Sequence, residues 1–177
     1  DLVCDNDWLI SLSKSIYMFG LATGEIVSGQ LSDKYGRKPI MLIFSGFSLV
    51  FGIATSFSPC MLVFILLRWC MAFCAVSAYM SAYVYCVEIV GGKWSTIVGI
   101  GFQIPFSVGI MLLSLSSWLF PRWDSLLLVI TVPIILFIIP GAVPALIPES
   151  PRWMLFNGKP EKAIELLESA AKLNKRT

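Results

Sequence analysis

The chain has 177 residues, 57% of them hydrophobic and 14% charged, with a formal net charge of +2; its mean hydropathy is +0.82. Soluble domains carry roughly a quarter charged residues, so this composition excludes an ordinary soluble domain, and so small a net charge gives nucleic acid no footing. Histidine is absent, which removes serine–histidine and cysteine–histidine nucleophile pairs and imidazole metal sites, so no enzyme activity, metal or cofactor is expected.

Residues 1–7 are short and acidic, and Trp8 marks a membrane interface, where an indole is favoured. The pattern predicts five membrane-spanning helices, over about 9–31, 39–57, 61–90, 96–119 and 126–147, because about 20 apolar residues cross a bilayer. The first carries Lys14 near one end and Glu25 deeper in, and a stripe of small residues, Gly20, Gly24, Ser28 and Ser32, at the four-residue spacing that lets a neighbouring helix pack closely.

Gly29-Gln30-Leu31-Ser32-Asp33-Lys34-Tyr35-Gly36-Arg37-Lys38 follows, and it reads as a tight polar hairpin between two spans. Gly29 and Gly36 are expected to let the two helix ends approach, with Asp33 facing a helix N-terminus and Lys34, Arg37 and Lys38 holding the turn on the cytoplasmic side.

The second span opens on Pro39, whose missing N–H suits a first turn. The third holds Arg68 inside and Glu88 at its close, with Ser77, Tyr79, Ser81 and Tyr83 as its polar face. The fourth contains Gln103 and Pro105; the fifth contains Pro133, Pro140 and Pro144, so kinks are expected. Beyond Pro148-Glu149-Ser150-Pro151-Arg152-Trp153, residues 160–173 read as an amphipathic helix, with Ala163, Leu166, Leu167, Ala170 and Leu173 at helical spacing. Residues 1–147 are thus expected to form a transmembrane bundle and 148–177 the start of a cytoplasmic helical domain.

The cysteines form no C-x-x-C pair. Cys70, Cys74 and Cys86 read as small buried side chains, and Cys4 and Cys60 lie near the outer ends. Lysine and arginine crowd the turn around Gly36, Lys93 and the C-terminal tail, which places the N-terminus outside and the tail in the cytoplasm. The chain begins at Asp1 without Met and ends inside a charged helical pattern, so it is read as a fragment of a longer polypeptide.

Charges of matched sign fall at one membrane depth: Asp33 with Arg37, Glu88, and Glu149 with Arg152. They are expected to form an inter-helix ion-pair network that holds the bundle closed at the cytoplasmic side; the plainer alternative is positive-inside anchoring with surface pairs of little value. Glu25 and Arg68 are charges within spans, which default to function; a hydrogen bond to a neighbouring helix is an equal reading for Glu25, and outward snorkelling for Arg68.

The stretch from Gly29 to Lys38 resembles the signature loop of the major facilitator superfamily, G-x-L-S-D-[RK]-[FY]-G-R-[RK], in which Gln30 occupies the free position. Pro148 to Trp153 resembles the segment after the sixth helix of that superfamily's sugar porters and organic ion transporters. The opening Asp1-Leu2-Val3-Cys4-Asp5, with Trp8, and Gly101 to Phe106 with Gly109 resemble the organic cation/anion/carnitine (solute carrier 22-like) branch. Arg68 departs from the fourth-helix pattern R-x-x-x-G, since Met71 and Ala72 follow, and Gly91-Gly92-Lys93 stands where sugar porters have R-G.

The resemblance implies an all-α bundle, helices two to six of an N-terminal half, in a multi-pass protein of the plasma membrane. It implies alternating-access transport of small organic ions, with the lipid bilayer and the C-terminal half of the same polypeptide as its partners. A midplane cavity is implied, for which Tyr79, Tyr83, Phe102, Gln103 and Glu25 are the candidates: aromatic faces suit bulky organic ions, and Gln103 can donate and accept hydrogen bonds. A sugar porter and a non-transporting membrane scaffold or sensor stand as alternatives.

Overall fold

The computed structural model describes residues 7–90, 92–142, 148–158 and 160–173. Cys4 with the rest of the acidic opening, Gly91, Pro144 within 143–147, and the tail 174–177 lie outside the described residues, as do the side chains of Lys93, Pro140, Leu167, Ala170 and Leu173.

Among the described residues there is no strand. The elements are α1 (Asp7–Tyr35), α2 (Arg37–Ser56), α3 (Met61–Val90), α4 (Gly92–Gly101), α5 (Gln103–Leu119), α6 (Trp123–Thr131), α7 (Pro133–Ala142), α8 (Pro151–Phe156) and α9 (Pro160–Leu173). Among the described residues three helical stretches are long and apolar enough to cross a membrane: Arg37–Ser56, Met61–Val90 and Trp94–Leu119, the last running through α4 and α5. The 29-residue α1 has the length, but Glu25, Gln30 and its glycines and serines dilute its hydropathy.

The centre of the bundle is α3, which packs along both α1 and α2, while α2 also meets α6 and α7. Small residues set the approach of α1 to α3. A Cβ placed on Gly24 would lie 2.7 Å from the Phe73 carbonyl oxygen, and one on Gly20 2.9 Å from that of Trp69. The Ser77 hydroxyl reaches across this contact to the Gly24 carbonyl at 3.2 Å. Gly52 of α2 serves the same purpose against α6, where its Cβ would lie 2.6 Å from the Thr131 methyl.

Prolines account for two breaks. Pro105 has no N–H for the carbonyl of Gly101, and the helix interrupts at Phe102. Pro133 has none for Val129, and α6 gives way to α7 at Val132. The interruption at Phe102 turns its ring onto α3.

The expected hairpin is not a loop. Helix α1 continues through Asp33 and Lys34 to Tyr35, and Gly36 alone separates it from α2, at φ 107. An L side chain rarely adopts that angle, so one glycine performs the reversal. Gly29 does not bring helices together: a Cβ there would meet nothing within 4 Å. The expected polar face of α3 also divides. Ser77 and Ser81 are buried, while Tyr79 and Tyr83 face Phe102. Residues two apart on a helix point in different directions, and only the four-residue steps share a face.

Candidate functional site

Polar residues from three separated segments converge where α1 ends. Arg37 opens α2; its Nη2 lies 3.1 Å from Glu88 Oε1 and its Nη1 2.6 Å from Asp33 Oδ1. Nη1 also donates to Ser32 Oγ at 2.8 Å, and Nε reaches Glu88 Oε2 at 3.4 Å. The side chains of Arg37 and Glu88 are 12% and 11% exposed, against 70% for Asp33. Arg37–Glu88 is therefore the pair shielded from water, and the Asp33 contact is a solvated i,i+4 pair of small value.

Glu149 takes a different position from the one its charge suggests. It forms no ion pair with Arg152 among the described residues. Its Oε1 instead accepts from the backbone N–H groups of Arg37 at 3.0 Å and Lys38 at 3.1 Å, and of Ser150 at 3.0 Å. The first N–H groups of a helix lack intrahelical partners and carry its positive dipole end. Gly36 offers α2 no side-chain cap, so a carboxylate 112 residues away supplies one. Asp33, expected to face a helix N-terminus, lies in the last turn of α1 instead.

Neutral groups complete the cluster. Ser150 Oγ donates to Glu88 Oε2 at 2.6 Å and accepts from the Trp153 N–H at 3.3 Å, which caps α8. Tyr85 Oη donates to the Pro148 carbonyl at 2.6 Å, and the Trp153 indole N–H donates to the Asp33 carbonyl at 2.8 Å. Arg152 lines an adjoining cleft of about 470 Å³ with Arg37, Glu88, Trp153 and Phe156. Sequence reasoning missed Ser32, Tyr85, Ser150 and Trp153 as members of this cluster. Only the spacing of Ser150 to Trp153, a capping serine before a proline-started helix, carried a signal.

The cavity candidates lie nearer the middle of the bundle. Glu25, Tyr79 and Gln103 line one cleft of about 490 Å³ with Leu21, Met80 and Phe106. Phe102 joins Tyr79 on a second, largely apolar cleft of about 290 Å³ that includes Ser45 and Ser48. Tyr83 lines neither cleft. Its ring packs edge-on to Phe102 at 5.5 Å, and Tyr79 packs on the same ring at 5.1 Å. Gly99 allows α4 to approach, since a Cβ there would lie 3.2 Å from the Tyr83 hydroxyl. The aromatic trio is thus one cluster, while Glu25 of α1 and Gln103 of α5 both line the larger of the two clefts. Among the described residues no group of His, Cys, Asp or Glu is arranged to hold a metal.

Residues 4–177 match the family described as sugar (and other) transporter. The chain is similar to solute carrier family 22 member 3 of Mus musculus, 37% identical over 175 residues, 98% of this chain and 31% of that protein. It is similar to the organic cation transporter protein of Drosophila melanogaster, 34% identical over 99% of this chain and 31% of that protein. The mouse organic cation/carnitine transporter 2 is 35% identical over the same shares as the first. The chain thus spans less than a third of the curated relatives it matches. Its fold is similar to the xylose transporter of E. coli in a partially occluded inward-open conformation, with TM-score 0.78 and 17% identity, over 92% of this chain and 44% of that one. A bundle that is helical throughout its described residues, with this family match, is a multi-pass membrane protein, and the chain belongs to the sugar (and other) transporter family of the major facilitator superfamily.

Proposed function

We propose that the chain supplies five helices of the N-terminal half of a plasma-membrane carrier for small organic ions, working by alternating access. Residues 1–147 form the bundle and 148–177 begin a helical domain on the cytoplasmic side, where the basic end lies by the positive-inside rule. The remaining wall of the substrate path comes from the rest of the polypeptide.

The observation that carries the organic-ion reading is the pair of relatives at 34–35% identity named for organic cations and carnitine. The clefts fit it. Tyr79 and Phe102 present ring faces to a bulky cation. Gln103 fixes orientation by hydrogen bonds, and Glu25 of α1 offers a carboxylate to the same cleft.

Alternation needs an end that closes and opens. Arg37, Glu88, Ser150 and Glu149 tie the start of α2, the end of α3 and the segment before α8 into one knot. Opening the cytoplasmic side means loosening that knot. Because Arg37 and Glu88 are largely desolvated, separating them without water entry costs about 3–5 kcal/mol, so opening proceeds as water enters.

Uptake by the full-length protein of labelled quaternary ammonium, organic carboxylate and hexose substrates tests the reading. Saturable uptake of an organic ion supports it. Uptake of hexose alone would make the protein a sugar porter, and uptake of none by protein present at the surface would make it a scaffold.

A further inference from the structure

The end of α2 opposite the knot opens on a cleft of about 610 Å³. Ser56 and Phe57 line it from the end of α2, and Arg122, Trp123 and Asp124 from the start of α6. Arg122 donates from Nε to Asp124 Oδ1 at 3.3 Å and from Nη2 to Asp124 Oδ2 at 3.0 Å. Its Nη1 edge has no partner among the described residues. The cleft thus presents a guanidinium edge and a carboxylate next to each other.

Two rings and one hydroxyl complete it. Phe64 of α3 packs edge-on to Trp123 at 6.2 Å and fixes the indole, which stays exposed, as does Phe57. Ser56 is buried, and its hydroxyl has no hydrogen-bond partner among the described residues. Ser45 and Thr55 of the same helix return their hydroxyls to the carbonyl four residues back; Ser56 does not. Buried hydroxyls are nearly always bonded, so this one marks a place for a ligand oxygen.

Below the cleft, α2 leaves an apolar stripe uncovered. Ile43, Phe47, Val50 and Phe57 are exposed and follow at steps of four, three and seven, which share one helix face. From Ile43 to Phe57 the stripe runs about 21 Å at 1.5 Å per residue. That exceeds half of the roughly 30 Å hydrocarbon core of a bilayer. Phe57 and Trp123 stand where the stripe meets the polar cleft, as aromatic residues do at a membrane–water boundary.

We propose that this cleft binds a phospholipid with a zwitterionic choline headgroup, whose acyl chain lies along the α2 stripe. The trimethylammonium group sits against Phe57 and Trp123, with Asp124 as its counter-charge. The phosphate takes the free edge of Arg122, and a headgroup oxygen accepts from the Ser56 hydroxyl. A guanidinium alone accepts any phosphate. The carboxylate beside it and the two rings select a head that also carries a cation, because an anionic head leaves Asp124 facing like charge. The inference needs only the membrane bundle and does not depend on what the carrier moves.

The test titrates full-length protein in detergent with two phospholipids of identical dihexanoyl tails, one with a phosphocholine and one with a phosphoglycerol head. The concentration dependence of the unfolding midpoint gives Kd for each. Wild-type protein is expected to bind the choline lipid about fivefold more tightly than the glycerol lipid. Asp124→Asn, which keeps the size and removes the charge, should weaken the choline lipid about threefold and leave the glycerol lipid no weaker. Ser56→Ala should weaken both about threefold. Equal affinities for the two lipids in wild-type protein would overturn the assignment and make the stripe ordinary lipid-facing surface. A loss in Asp124→Asn shared equally by both lipids would also overturn it, since Asp124 would then act on the fold and not on the headgroup.

Discussion

Glu149 closes over Gly36 so tightly that a Cβ on the glycine would lie 2.7 Å from Glu149 Oε2. Two demands therefore meet at one residue: a left-handed backbone angle, φ 107, and room for the carboxylate that caps α2. Gly36→Ala violates both. Strain at positive φ costs about 1–2 kcal/mol for a residue with a Cβ, and displacement of Glu149 removes charge-assisted hydrogen bonds worth roughly 1.5–3 kcal/mol each. The expected outcome is a lowered melting temperature in detergent together with strongly reduced uptake. A variant of wild-type stability and rate would show that Glu149 does not need this seat.

The contact of α1 with α3 at Gly24 is set by the Val76 side chain and by the Phe73 backbone together. Gly24→Ala would press a methyl toward the Phe73 carbonyl, 2.7 Å away, and that atom cannot rotate aside. The helices must part, breaking the Ser77–Gly24 hydrogen bond. A stability loss of about 1–3 kcal/mol is expected, whereas Gly29→Ala, with open space around it, should be neutral or slightly stabilising. Thermal unfolding of the two variants side by side checks this; equal losses would count against it.

Tyr85 holds the Glu149 segment through the Pro148 carbonyl at 2.6 Å. Tyr85→Phe keeps the ring and deletes one hydrogen bond, a loss of about 1 kcal/mol. It should slow turnover several-fold while leaving KM nearly unchanged, since no part of it lines the cavity clefts. A change in KM alone would place Tyr85 on the substrate path instead.

Glu25 on α1 and Gln103 on α5 both line the larger of the two clefts. Glu25→Gln removes the charge at constant shape, so uptake of cationic substrates should weaken about tenfold or more while neutral competitors lose little. Unchanged uptake and an unchanged pH profile would remove Glu25 from the mechanism.

Hydropathy made the helices over Arg37–Ser56, Met61–Val90 and Trp94–Leu119 legible, and Pro133 the break at Val132, because a missing N–H is a property of the residue itself; the break that Pro105 makes at Phe102 was not foreseen in a span read as continuous. Matched charge made the meeting of Arg37 with Glu88 legible. The same reasoning misplaced Glu149, pairing it with Arg152, because backbone N–H groups carry no letter in a sequence. The knot's neutral members, Ser32, Tyr85 and Ser150, escaped notice because hydroxyl groups are common in spans and their partners are 5 to 63 residues away. Gly29 and Gly36 look equivalent as letters; only the reversal at Tyr35 and the arrival of Glu149 distinguish them.

The account turns on Arg37 and Glu88 acting as one unit. A charge swap is a poor probe, because it would set a carboxylate at position 37 beside Asp33, now 2.6 Å from the guanidinium. A neutral cycle avoids this: Arg37→Gln, Glu88→Gln and the double variant, each read by initial uptake rate at equal surface abundance. The account predicts about tenfold losses in each single variant and a double variant no worse than the poorer single, a coupling of at least about 1 kcal/mol. Losses that multiply in the double variant would contradict it, since they would mean that the two charges act independently.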